Sequence, residues 1–445
     1  MHPASGTRID RASPNDVTIL ATDRGAAPMN IGAVLVLETD PKRSPPDIAW
    51  LRGLLSARIP VVPRFRHRLV ATPPGCGRPV WVDDPDFVLD RHLSAYDLDR
   101  WGTENILQVA AEVLCSRLDR GRPLWRACLV TGPEPGQAAL VLVIHHVLAD
   151  GLAGLAVLAA LADGLGMTDP GPFPQAWPRR RELARDAVRA RLSALSTLPR
   201  ALQRGAQGLA ELGLGGQRPT LAERISLNRP TGRRRRLTTV TVPLDPVSEA
   251  AHHHGATVND IVLTAVTGAL ATLLERRGER PHQLVVSVPI SARRSAAVTR
   301  LGNETGVVPV AVPAVSDDHA RLRAVVALTH DAPRHQRASS AGPLGLVFRA
   351  LARLGLFQAV VDHQRLVHTF ETNVRGPRES LELGGHRVAQ IVPLAVNPGN
   401  VGVSFGVLSY AGQLVVTVVA DPLIVPDQDL LTTSLRRILG DLVAD

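Results

Sequence analysis

The chemistry-bearing residues of this chain concentrate in one short run, HHVLADG, from His145 to Gly151. It follows the apolar run LVLVI and precedes an apolar helical stretch, so the histidines end a strand and Asp150 falls at a helix N-cap. Gly151 removes a Cβ where strand and helix must approach closely. A neutral imidazole at such a corner can take the proton of a hydroxyl or thiol as that atom attacks an acyl carbonyl, a step worth about 10²- to 10⁴-fold in rate. The run has no cysteine or serine nucleophile, which favours direct transfer between two bound substrates over a covalent acyl-enzyme. Two blander uses of the same residues stay open. A His pair at a strand end also serves as a satisfied buried polar pair, and His145, His146 and Asp150 are all potential metal ligands. Adjacent strand residues point to opposite faces, however, so the two histidines cannot easily share one ion, and no metal is expected.

Positioning that corner requires a strand-and-helix scaffold, and the hydrophobic pattern supplies one on either side. Before the motif, NIGAVLVLE (30–38) reads as a buried strand, 48–59 as a helix, 79–82 as an extended piece and 106–118 as a helix. LWRACLVTG and AALVLVIHH follow as two strands separated by the turn signal PEPGQ, and 151–165 as a helix. From 171 to 236 the composition turns rich in Pro and Arg around an amphipathic helical middle, 181–212, and ends in GRRRR (232–236). This is read as a solvated linker, with an interfacial helix on anionic lipid as the alternative. The pattern restarts with RLTTVTVPL, a long helix from Val258, strand QLVVSVPIS, strand VVPVAVP and a helix over 318–330. Two helical stretches between Leu344 and His368, three strands (VAQIVPLAV, VGVSFGVLSY, QLVVTVVA) and a closing helix complete it. The expected division is a first lobe at 1–170, a linker at 171–236 and a second lobe at 237–445, both lobes mixing helices with largely antiparallel strands. The tract His252 to His254 reads as a solvated helix end.

Composition bounds the function. The chain has 445 residues, enough for two domains with substantial cores, and 45% of them are apolar. Aromatics are only 3%, which argues against a nucleic-acid reader built on stacking, and no nucleic acid is expected. The formal charge is +9, yet Lys42 is the only lysine, a skew that codon usage explains as readily as a need for guanidinium chemistry. An anionic substrate or an acidic membrane surface could use that charge. Three widely spaced cysteines, Cys76, Cys115 and Cys128, support neither a disulfide framework nor a CxxC metal site. The polar start MHPASGTRIDRASPND has no hydrophobic signal core, and the longest uncharged apolar helix, 151–162, falls short of the roughly 20 residues of a membrane span. A cytoplasmic protein, soluble or peripheral at a membrane or lipid body, is the expectation.

The motifs together resemble a known family. HHVLADG matches the HHxxxDG motif of the bacterial wax ester synthase/acyl-CoA:diacylglycerol acyltransferases, within the superfamily of CoA-dependent acyltransferases and condensation domains. SPNDVTILATDRGAAPMNIGAVLVLE is similar to the family's opening segment, followed by VPRFRHRLV and PVWVDDPDFVLDRHL. RPLW (122–125) resembles its PLW motif, TVNDIVLTAVTGAL its ND motif, VPISARR its PxSxR segment, GNETG its GN turn and NVRGP its NVPGP motif, with Arg375 in place of the usual Pro. LSYAGQLVVTVVADPLIVPD resembles its last strands, so the likeness covers nearly the whole chain in order.

The resemblance implies an α/β fold of two chloramphenicol-acetyltransferase-like lobes with a tunnel between them, acyl-CoA as co-substrate and no further cofactor. It makes His146 the general base that deprotonates an alcohol, either a long-chain alcohol or diacylglycerol, for attack on the thioester. His145 and Gly151 belong to the same catalytic motif, and Asp150 would hold the corner through an ion pair with Arg293. Backbone N–H groups at the corner and the Asn373 side chain are candidates to stabilise the tetrahedral intermediate. Asn259 and Asp260 either cap their helix or join the site, and Trp125 either lines an acyl tunnel or packs in the core. Acylation of a specialised metabolite and a catalytically silent lipid-binding role are the alternative readings.

Overall fold

The computed structural model describes residues 9–39, 42–164, 173–196, 221–291, 305–330, 348, 350–352 and 354–444. In chain order the first half comprises α1 (Pro14–Thr22), β1 (Asn30–Glu38), α2 (Ile48–Arg58), β2 (His67–Val70), β3 (Val80–Asp83), β4 (Leu93–Asp97), α3 (Thr103–Cys115), β5 (Trp125–Thr131), β6 (Gln137–His145) and α4 (Gly151–Leu161). After the linker helix α5 (Arg180–Ser196) come β7 (Arg236–Pro243), α6 (Leu244–His253), α7 (Val258–Arg276), β8 (Gln283–Ser291), β9 (Thr305–Pro313) and α8 (Asp318–His330). The chain ends with α9 (Phe357–Val361), β10 (Thr369–Arg375), β11 (Glu382–Leu383), β12 (His386–Leu394), β13 (Val403–Tyr410), β14 (Gln413–Ala420) and α10 (Gln428–Ala444).

Two six-stranded sheets organise these elements, in the orders β11-β12-β1-β6-β5-β4 and β7-β14-β13-β10-β8-β9. Most pairings are antiparallel; β4–β5, β10–β13 and β10–β8 are parallel. β1 lies at the centre of the first sheet and is covered on both faces. Its residues Ala33, Leu35 and Leu37 share one core with Leu140, Leu142 and Ile144. Val34 shares another with Val141 and Val143, against α3. Burial on both faces is why these strands read as nearly continuous apolar runs without alternation. In the second half α7 is the central core helix. Thr257 caps it, with Asp260 closing a capping box, and 13 of its residues are buried. Among the described residues it is the one helix long and apolar enough to cross a membrane, but 72% of its apolar window is buried inside the fold.

The halves are not independent layers. β12 belongs to the second half of the chain but pairs with β1, from Gly32↔Leu394 to Glu38↔Arg387, and so completes the first sheet. Such a pairing depends on residues some 350 positions apart and leaves no local signal.

The start of the linker is fastened to the β2–β3 hairpin. The Gln175 N–H donates to Asp83 Oδ2 (2.7 Å), Trp177 Nε1 donates to the Asp83 carbonyl (3.3 Å), and the Arg66 and Arg68 guanidiniums lie 5.0 Å from the Phe173 and Trp177 rings. Leu183 packs with Cys76, Val80 and Val82. The amphipathic stretch expected over 181–212 is described only to residue 196, where Val188 and Leu192 are exposed beside Arg185 and Arg189. Between Leu344 and His368 the described residues show helix at 350–352 and α9, and the remaining expectation there lies largely outside them.

Ile391 on β12 is completely buried in the core of the first sheet. Ile391→Ala is expected to cost about 2–5 kcal/mol and to lower the melting temperature of both halves together. Calorimetry showing that only one half melts earlier would contradict the interleaving.

Candidate active site

The HHVLADG run forms the corner between β6 and α4. β6 ends at His145, whose N–H donates to the Leu124 carbonyl (2.9 Å); the chain then turns, with the Leu148 N–H bonded to the His145 carbonyl (2.9 Å). Asp150 begins α4 as its N-cap, its Oδ1 accepting the Ala153 N–H at 3.0 Å, and is 3% exposed. Arg293, proposed as its ion-pair partner, lies outside the described residues.

The two histidines have different surroundings. His145 is buried, its Nδ1 accepting the Val147 N–H (3.1 Å) and its Nε2 facing Asp23 Oδ2 (3.2 Å). An acceptor at Nδ1 places the proton on Nε2, where it is donated to Asp23. Asp23 also receives Arg120 Nη2 (2.7 Å) and the Met29 N–H (3.0 Å). Burial pushes the Asp23 carboxyl upward, but the hydrogen bonds from His145 and Arg120 outweigh it and hold the group well below the usual carboxylate range. His145 does not line the cavity that holds His146. Its ring is occupied in holding the corner to the end of α1.

His146 lines a cavity of about 130 Å³ between the two sheets. β1, β6, α4 and β12 wall it on one side, β10 and β13 on the other. His146 and Thr372 are the two polar side chains among its described lining residues; the others are aliphatic, proline or glycine. Gly151 also lines it, and a Cβ added there would lie 2.7 Å from Val374 Cγ2 and 3.8 Å from Thr372 Cγ2. Glycine is thus required where α4 meets a strand of the other half. The close approach expected of Gly151 exists, with β10 as its partner.

Strand alternation distributes the remaining candidates. Thr372 and Val374 face the cavity, so Asn373 faces away, and its Nδ2 donates to Asn259 Oδ1 at 2.9 Å. Asp260 is 1% exposed and accepts the Thr257 N–H (2.8 Å) and hydroxyl (2.7 Å). Asn259, Asp260 and Asn373 therefore meet in one cluster behind β10, and none lines the cavity; they tie β10 to the start of α7 instead of touching substrate there. The backbone donors foreseen at the corner are also largely spent, since the His146 N–H bonds the Met29 carbonyl (2.8 Å) and those of Val147 and Leu148 bond His145. Trp125 is 1% exposed, stacked between Phe65 and His92, with Nε1 donating to the Phe65 carbonyl (2.7 Å). It is a core residue and does not line the cavity.

Three groups escaped the sequence reading. Asp23 carried no signal beyond its place in the opening segment. Thr372 was hidden beside the more conspicuous Asn373, although alternation along TFETNVR would have separated them. Glu371 is completely buried with both carboxyl oxygens lacking a hydrogen-bond partner among the described residues. Desolvation, followed by repulsion from Asp260, pushes its carboxyl up to about 8.

Comparison with known proteins fits this geometry. Residues 12–262 match the wax ester synthase/diacylglycerol acyltransferase catalytic domain, and residues 301–442 match the WS/DGAT C-terminal domain. The chain belongs to this family. A Mycobacterium tuberculosis (strain H37Rv) member named "Probable diacyglycerol O-acyltransferase tgs1" is 32% identical over 93% of this chain and 91% of its own. The wax ester synthase/diacylglycerol acyltransferase from Marinobacter aquaeolei VT8 superposes with a TM-score of 0.69 at 20% identity, covering 97% of this chain and 98% of its own. The first condensation domain of the CDA synthetase superposes with a TM-score of 0.61 at 19% identity, covering 99% and 97%. The fold is accordingly the chloramphenicol-acetyltransferase-like pair of lobes expected from the motifs, and the protein is an acyltransferase of the wax ester synthase/diacylglycerol acyltransferase type.

Two outcomes check this family member's site. Gly151→Ala should abolish most activity by driving α4 off β10, and Val374→Ala in the same chain should restore a substantial part of it; a double variant no better than the single one would show that the contact is not limiting. Glu371 holds its proton to about pH 8 in the folded state, whereas an unfolded glutamate releases it near about pH 4.3. The native state binds more protons between those values, so stability falls as pH rises through the window. The stability of Glu371→Gln relative to wild type should therefore grow between about pH 4.3 and 8, as read by urea denaturation, and a gap independent of pH would contradict the assignment.

Proposed function

We propose that this protein transfers a fatty acyl group from acyl-CoA to the hydroxyl of a long-chain alcohol or diacylglycerol, with His146 as general base. The observation that carries the reading is the cavity itself, an aliphatic enclosure in which an imidazole and one threonine hydroxyl are the polar side chains among the described lining. Aliphatic walls bury acyl chains favourably, and a site of this kind leaves a polar acceptor larger than a hydroxyl few groups to satisfy it.

The His146 imidazole takes the acceptor's hydroxyl proton as its oxygen attacks the thioester carbonyl. The resulting tetrahedral intermediate carries the charge on the former carbonyl oxygen, and the Thr372 hydroxyl is the cavity side chain suited to donate to it. Collapse breaks the C–S bond, and the imidazolium returns the proton to the departing thiolate, leaving ester and free CoA. Supporting groups act through the backbone: His145 and Asp23 fix the end of β6, Asp150 caps α4, and the Asn259–Asn373 bond holds β10.

Thiol release from palmitoyl-CoA, with hexadecanol or dioleoylglycerol as acceptor, tests the reading. His146→Ala should lower kcat by about 10²- to 10⁴-fold, and Thr372→Val by about 10²- to 10³-fold. Undiminished turnover by His146→Ala would remove it from the mechanism, and a wild type active on neither acceptor would remove the storage-lipid reading.

A further inference from the structure

A larger concavity, of about 1020 Å³, opens where α3 of the first half faces β7 and α10 of the second. Arg233, Arg234, Arg235, Arg236 and Arg436 all line it, absorbing the basic run that ends the linker. Two of them are committed. Arg235 is 8% exposed, donates to the Gly232, Arg234 and Asn397 carbonyls and lies 3.7 Å from Asp421. Arg236 makes a forked contact with Asp429 at 2.8 to 3.1 Å. Arg233, Arg234 and Arg436 are exposed and have no acidic partner among the described residues. Glu104 and Glu112 also line the groove from α3, so the opposite wall is not basic.

One row across the second sheet measures how far this groove lies from the His146 cavity. Thr239, Thr417, Gly406 and Thr372 are successive partners in one row across β7, β14, β13 and β10. Thr239 lines the groove, while Gly406 and Thr372 line the cavity with His146. Three strand spacings of about 4.8 Å separate the ends of that row by about 14 Å, comparable with the reach of an extended pantetheine arm. Unpaired guanidiniums on one wall of a concave groove, at that distance from an acyl-transfer site, suit phosphate groups, to which arginine presents a matched fork of donors.

We propose that this groove, through Arg233, Arg234 and Arg436, binds the phosphorylated adenosine end of the acyl-CoA donor, an inference that rests on the acyl-CoA reading of the His146 site. Lipid headgroups carry the same phosphate chemistry, but a concave groove between two lobes admits a soluble nucleotide more readily than a flat lipid surface.

The test compares wild type with the Arg233→Ala/Arg234→Ala/Arg436→Ala variant on two donors, palmitoyl-CoA and S-palmitoylpantetheine, which lacks the nucleotide and serves as the internal control for folding. The ratio of kcat/KM for palmitoyl-CoA to that for S-palmitoylpantetheine should fall about tenfold or more in the variant. An unchanged ratio overturns the proposal, and if the variant also loses flotation on phosphatidylglycerol vesicles, the arginines serve a lipid surface instead. A wild type that transfers from neither donor refutes the acyl-CoA reading of the site; calorimetric titration with adenosine 3′,5′-bisphosphate then decides the groove by itself. Weaker binding by the variant supports the proposal, and equal binding overturns it.

Discussion

The first turn of α4 lays the bare backbone of Gly151 against the Val374 and Thr372 side chains of β10, and the geometry of the whole site depends on that contact. It sets how closely the His146 corner, held by the first sheet, can approach Thr372, held by the second. Even one added carbon at Gly151 would meet Val374 Cγ2 at 2.7 Å. The corner cannot yield easily, because Asp150 caps α4 and the His145–Asp23–Arg120 chain anchors the end of β6. The strand cannot yield easily either, since Asn373 is tied to Asn259 and β10 is paired to β13 over six residues. The geometry of the seam is thus a property of two supports brought together at a glycine.

The polar groups around the site divide by face. On the cavity side of β10 stand Thr372 and Val374; on the other stand Asn373 and the buried Glu371 beside Asp260. A carboxyl with no hydrogen-bond partner in so dry a place is expensive if charged, and holding its proton relieves most of that penalty.

Much of this was legible before any coordinates. β1, β8 and β14 lie where the hydrophobic pattern places them, because each is buried deeply enough for pattern and packing to agree. The strand–corner–helix arrangement of HHVLADG was equally clear from its apolar flanks. What could not be read were relations between distant residues. Neither the pairing of β12 with β1 nor the meeting of Gly151 with Val374 has a local signature. Asn373 drew attention as a polar residue in a motif, but its role followed from the face it occupies, and that depends on which neighbour the sheet buries. His145 and His146 look alike as letters and differ because one has Asp23 beneath it while the other lines the cavity.

The lending of β12 to the first sheet also constrains how substrates come and go. A molecule whose halves merely touched could part along its seam and release a bulky ester by opening like a book. Here each opening would have to strip a nine-residue strand from its neighbour, losing a full ladder of hydrogen bonds together with the core behind it. The seam is stitched shut, so under the proposed function donor, acceptor and ester would have to thread through passages at its sides. The width of those passages, more than the swing of the lobes, would then govern how fast a large product leaves.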